Sequence, residues 1–116
     1  MTRAGVLLAA VMLSLGNVHA AGLLSEQQAR TRAINILQGD PYGSTATDVA
    51  NSIKQAELLP EGKTRVCGAQ RRPVWEFHIV VVTPNRDQFN DGVIDGYLAL
   101  DARTGKMLCA NLPMLD

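Results

Sequence analysis

The chain has 116 residues, with 11 Lys+Arg balanced by 11 Asp+Glu; that is one domain's worth of sequence. Zero net charge excludes the broad basic surface that nucleic-acid binding calls for, and the pair Arg71-Arg72 is too short to supply one. After the N-terminal segment no apolar run approaches the roughly 20 residues of a membrane-crossing helix, so no anchor is expected beyond it.

Thr2-Arg3 is a short basic start, and residues 4–15 are apolar apart from Gly5 and Ser14. Val18 and Ala20 then stand at the −3 and −1 positions of a signal-peptidase site. The pattern predicts a signal peptide over residues 1–20, cleaved before Ala21, and an exported product that is periplasmic or secreted. An uncleaved N-terminal anchor is the competing reading, and the good cleavage motif argues against it. No Cys follows the apolar run, so lipoprotein processing is not expected.

Ser25 with Gln28 three residues on forms a capping box, and Leu24 is placed to staple against Ala29. Ala29, Ala33, Ile36 and Leu37 recur at helical spacing and give one narrow apolar face, while Gly39 and Pro41 end the run. An amphipathic helix is therefore predicted over residues 25–38. Residues 40–44 read as a turn. A second helix is expected from Thr47 or Asp48 through Glu57, with Val49, Ile53 and Ala56 as its apolar stripe.

Residues 74–83 are rich in β-branched and aromatic side chains and read as a strand. Trp75, Phe77, Ile79 and Val81 share a wholly apolar face, the expected core. Val74, Glu76, His78, Val80 and Val82 share a mixed face, expected to be partly exposed. Pro84 ends the strand, and a polar loop runs to Asp91-Gly92. A strand over residues 94–100, a turn over 101–105 with Gly105 in the left-handed position, and a short strand over 106–109 complete a hairpin. Residues 65–67 are expected to add an edge strand.

Cys67 and Cys109 are the two cysteines of the chain. In an oxidising compartment they read as one disulfide, closing a loop of about 43 residues that a chain-entropy argument values at about 4 kcal/mol. Two buried thiols are the alternative; a redox pair usually has Cys-x-x-Cys spacing. The expected fold is α+β: an N-terminal amphipathic helix and a second helix packed on an antiparallel sheet of three to four strands.

Trp75-Glu76-Phe77-His78-Ile79-Val80-Val81, followed by Asp95-Gly96-Tyr97-Leu98-Ala99-Leu100-Asp101-Ala102-Arg103-Thr104-Gly105-Lys106-Met107-Leu108, resembles the PepSY domain. With the helix over 25–38, the resemblance spans most of residues 21–116 and makes them one PepSY-like domain. The second helix and the cysteine pair depart from the usual pattern. PepSY domains resemble inhibitory or regulatory modules of secreted peptidases, so the resemblance implies a binding protein that restrains an extracytoplasmic enzyme, a peptidase or a toxin. It carries no catalytic position onto this chain. A structural or sensory accessory domain of the envelope is the alternative, and a small hydrolase a weaker one.

Beyond the signal segment His78 is the sole histidine, too few ligands for a metal centre. With Glu76 on the same strand face it is a candidate partner contact or a solvated polar pair. Asp87, Asp91 and Asp95 with Asn90 resemble a cation loop, but Phe89 and Leu98 occupy positions where an EF-hand needs oxygen ligands. The same stretch also reads as an acidic finger tipped by an exposed aromatic, Phe89. No catalytic triad and no cofactor motif is found. The candidate partner-binding residues are therefore Asp87, Phe89, Asp91, Asp95, Glu76 and His78.

Overall fold

The computed structural model describes residues 22–84, 86–87 and 89–115; the expected signal peptide over 1–20 lies outside the described residues. Helix α1, Glu26–Leu37, begins at the capping box. Ser25 Oγ accepts from the Gln28 N–H at 3.1 Å, and Gln28 Oε1 accepts from the Ser25 N–H at 2.9 Å. Two otherwise orphaned donors are thus satisfied. The helix buries Ala29, Ala33 and Leu37, with Ile36 half-buried, so the expected narrow stripe is the packed one. In the turn that follows, Asp40–Pro41 is a cis peptide. The Tyr42 hydroxyl donates to the Pro113 carbonyl, tying the turn to the C-terminal segment. Burial pushes the Tyr42 phenol up to about 12.

Helix α2, Ala46–Ser52, is capped by Thr45, whose hydroxyl accepts from the Asp48 N–H. It stops at Ser52, not at Glu57: Ile53–Leu59 is strand β1. The reason lies in a register shift between Ile53 and Gln55. One extra residue in a strand displaces its alternation. The core-facing positions Ile53, Ala56 and Leu58 are therefore spaced three and then two apart, and the first interval imitates a helix.

A small hairpin, β2 Lys63–Thr64 and β3 Gly68–Ala69, precedes the long strands β4 Val74–Val82 and β5 Val93–Asp101 and the short strand β6 Met107–Ala110. The main sheet has the order β1-β4-β5-β6, antiparallel throughout. The architecture is α+β, as the sequence predicts, with four strands. The fourth strand is β1; residues 65–67 are the tip of the separate β2–β3 hairpin, not an edge strand of the sheet. Both helices contact one face of the sheet. There Trp75, Phe77 and Ile79 of β4 meet Ile94, Leu98 and Leu100 of β5 in the buried core, and Val81 packs against its margin. The Trp75 indole N–H donates to the Leu24 carbonyl at 3.0 Å, fastening the start of the chain to the sheet. No helix among the described residues is long and apolar enough to cross a membrane.

Candidate functional site

The face of the sheet turned away from the helices holds the chemistry. Strand side chains alternate, and directly paired residues share a face. Along β4 and β5 the pairs on this face are Glu76 with Ala99, His78 with Tyr97, Val80 with Asp95, and Val82 with Val93. They form one strip, running from beneath the β2–β3 hairpin to the loop at residues 83–92.

At the hairpin end the strip is covered. Cys67 and Cys109 form the expected disulfide, with Cα atoms 6.2 Å apart, inside the ordinary range for such a bond. It draws the hairpin over Glu76, and the expectation of a partly exposed Glu76 fails there: the residue is 2% exposed and Val74 is fully buried. A buried carboxylate must be neutralised and hydrogen-bonded. Arg65, from the hairpin tip, does both. Its guanidinium donates to Glu76 Oε1 at 2.5 Å and its backbone N–H to Oε2 at 2.7 Å. The same guanidinium reaches Glu57 of β1 at 3.1 Å and lies 5.5 Å from the centre of the Tyr97 ring. The bond to Glu76 first, and that to Glu57 second, raise the Arg65 pKa above its already high value. Glu76 is thus a structural anchor, removed from any partner.

The middle of the strip is open. His78 stacks on Tyr97 with ring centres 4.8 Å apart, and its Nε2 lies 2.7 Å from Asp95 Oδ1. The partner of His78 is therefore Asp95 on the neighbouring strand, not Glu76 on its own. Arg65, Tyr97, His78 and Asp95 make a continuous polar row, supported at one end by the buried anchor.

At the loop end the strip is apolar. Val82 is 79% exposed and Val93 37% exposed, side by side. The loop itself is closed by the Thr83 N–H donating to the Gly92 carbonyl. Phe89, Asn90, Asp91 and Gly92 all have positive φ. Asn and Asp tolerate this region. Gly92 is required, because a Cβ there would lie 2.7 Å from the Thr83 carbonyl oxygen. Phe89 is not an exposed tip: it is half-buried against the core cluster. It forms, with Asn90, Val93, Asp95, Asn111 and Pro113, the wall of a cleft of about 220 Å³. That is below the usual size of a small-molecule site.

Of the predicted residues, His78 and Asp95 are thus brought together on the strip, and Phe89 shares the wall of the cleft with Asp95. Asp87 and Asp91 are exposed on the loop, where Asp91 and Arg86 approach to 3.9 Å, both largely in solvent. Glu76 is withdrawn beneath the hairpin. Sequence reasoning missed Arg65, Glu57 and Tyr97. Tyr97 alternates with Gly96 and Leu98 and so shares a face with Asp95. Arg65 gives no such signal beyond its place two residues before Cys67. Among the described residues no three His, Cys, Asp or Glu side chains come together as metal ligands. Compared with family models, curated proteins and solved structures, the chain matches none.

Proposed function

We propose that the chain is an exported, disulfide-clasped binding protein of PepSY type that docks through the open strip of its sheet on an extracytoplasmic enzyme, a peptidase or a toxin, and restrains it. The observation that carries this reading is the Val82–Val93 pair, left in solvent beside the Phe89 cleft and next to the His78–Tyr97–Asp95 row. Contiguous exposed apolar groups rimmed by polar ones mark interaction sites on soluble proteins. Aromatic and charged side chains held by neighbours form a preorganised rim, which lowers the ordering cost of association. The disulfide supports an oxidising compartment, and the PepSY-like hairpin supports a restraining role.

A stable interface buries roughly 1,200–2,000 Å² in total, so the proposed contact includes Asp87 and Asp91 on the adjoining loop. Val82→Arg with Val93→Arg places two charges in the centre of the patch without touching the core. Affinity capture from a periplasmic extract should retain an enzyme on the wild-type protein and lose it on the double variant. Added wild-type protein should lower the activity of the captured enzyme. Equal retention by both proteins sinks the proposed face, and capture without inhibition sinks the restraining role.

A further inference from the structure

On the helix side of the sheet, away from that strip, α1 approaches the turn that leads into the last strand. Between them lies a groove of about 460 Å³ lined by Arg32, Asn35 and Ile36 of α1 and by Gly105, Lys106 and Met107 at the start of β6. Gly105 makes room for it: φ is +79°, and a Cβ there would press on the Arg32 stem at 3.0 Å. Arg32 and Lys106 are both exposed, and among the described residues neither makes an ion pair. Two unpaired cations therefore flank a groove whose apolar walls are half-buried Ile36 and Met107, itself 37% exposed.

The groove wall includes Met107, the first residue of β6. β6 is the terminal strand of the sheet, paired to β5 alone among the described residues. Just beyond it the Asn111 N–H bonds back to the Tyr97 carbonyl. Inward- and outward-facing backbone groups alternate along an antiparallel strand, so the preceding residue, Ala110, turns its N–H and C=O outward. An open strand edge beside a helix is the geometry in which extended peptides add to a sheet: backbone bonds give affinity and side chains on one face enter the groove.

We infer that the α1–β6 groove binds an extended peptide segment carrying a carboxylate next to an apolar side chain. The carboxylate lies between Arg32 and Lys106, and the apolar side chain rests on Ile36 and Met107. This site is separate from the open strip, and its failure leaves the strip's function standing.

The test uses the purified exported protein and the blocked heptapeptide Ser-Leu-Thr-Glu-Thr-Leu-Ser, whose leucines and glutamate share one strand face. Titration followed by amide NMR should give saturable shifts at residues 106–110 and along 32–36. Replacing the peptide's glutamate with lysine should abolish them. Arg32→Glu with Lys106→Glu should weaken binding about tenfold or more at low salt. Lys106→Gln alone, which leaves the Arg32 stem over Gly105, should weaken it by a smaller factor. Shifts that ignore the charge reversals, or that fall on residues 78–82, overturn the inference. So do identical shifts from inorganic phosphate alone, which would mark an anion site without peptide recognition.

Discussion

Removing the Arg65 guanidinium should cost more than removing the charge it covers. Glu76 has a side chain 1% exposed, with one oxygen on the guanidinium and the other on the Arg65 backbone N–H. Arg65→Met keeps the aliphatic stem and the backbone donor but leaves a buried carboxylate without its counter-charge. A fully buried unpaired charge costs about 3–5 kcal/mol. Arg65 is itself 51% exposed, so water reaches part of the vacated space; the discounted expectation is about 2–3 kcal/mol. Glu76→Gln keeps an acceptor for the backbone N–H and releases a guanidinium that can turn to Glu57 and solvent; its expected cost is about 1–2 kcal/mol. The two residues touch, so the double variant should be less destabilised than the sum of the singles, by at least about 1 kcal/mol. Urea unfolding at pH 7 measures all four proteins. An Arg65→Met cost within about 0.5 kcal/mol of zero, or below that of Glu76→Gln, refutes the reasoning.

Replacing Cys67 and Cys109 with Ser removes the bond that holds the hairpin over Glu76 and should lower stability by about 2–5 kcal/mol; two free thiols in the native wild-type protein would deny the bond. Phe77→Ala should cost about 3–5 kcal/mol and Val82→Ala under about 0.5 kcal/mol, since Phe77 is fully buried and Val82 79% exposed; equal unfolding midpoints would mean that the two faces are wrongly assigned. Asp101 gives a pH signature. Burial, the largest single influence, raises its pKa, but the N–H groups of Arg103 and Thr104 and the Arg72 guanidinium together outweigh it and hold the carboxyl below its usual 3.8. A depressed carboxyl stabilises the fold above its unfolded value and loses that contribution as the pH falls. Asp101→Asn should therefore cost about 1–2 kcal/mol at pH 7, and the gap to wild type should close as the pH falls from about 4 towards 2. A gap independent of pH would contradict it.

Where local rules coincide with tertiary ones, the sequence is readable. The capping box at Ser25 and Gln28, the alternation of Trp75, Phe77 and Ile79, and the left-handed Gly105 each have one local solution, and the fold adopts it. Residues 53–59 show the opposite case. Lys54, Gln55, Ala56, Glu57 and Leu58 are good helix formers, yet β4 needs a partner on that side, and a bulge reconciles the pairing with buried Ile53. The candidate site divides in the same way. His78 and Asp95 were identifiable as polar residues within strand patterns, but their pairing depends on the register across a ten-residue connection over residues 83–92. Burial of Glu76 depends on a hairpin brought over it by a distant cysteine, a contact with no periodicity to announce it.

Site-specific photo-crosslinking in the source cell tests most directly whether the open strip is the partner-binding face. A photoreactive amino acid at Val82 or Val93 should trap one discrete partner, and the same group at Glu26 or Gln27 in the exposed first turn of α1, clear of the α1–β6 groove, should trap none. Crosslinks from the helix positions with none from the valines would contradict the account.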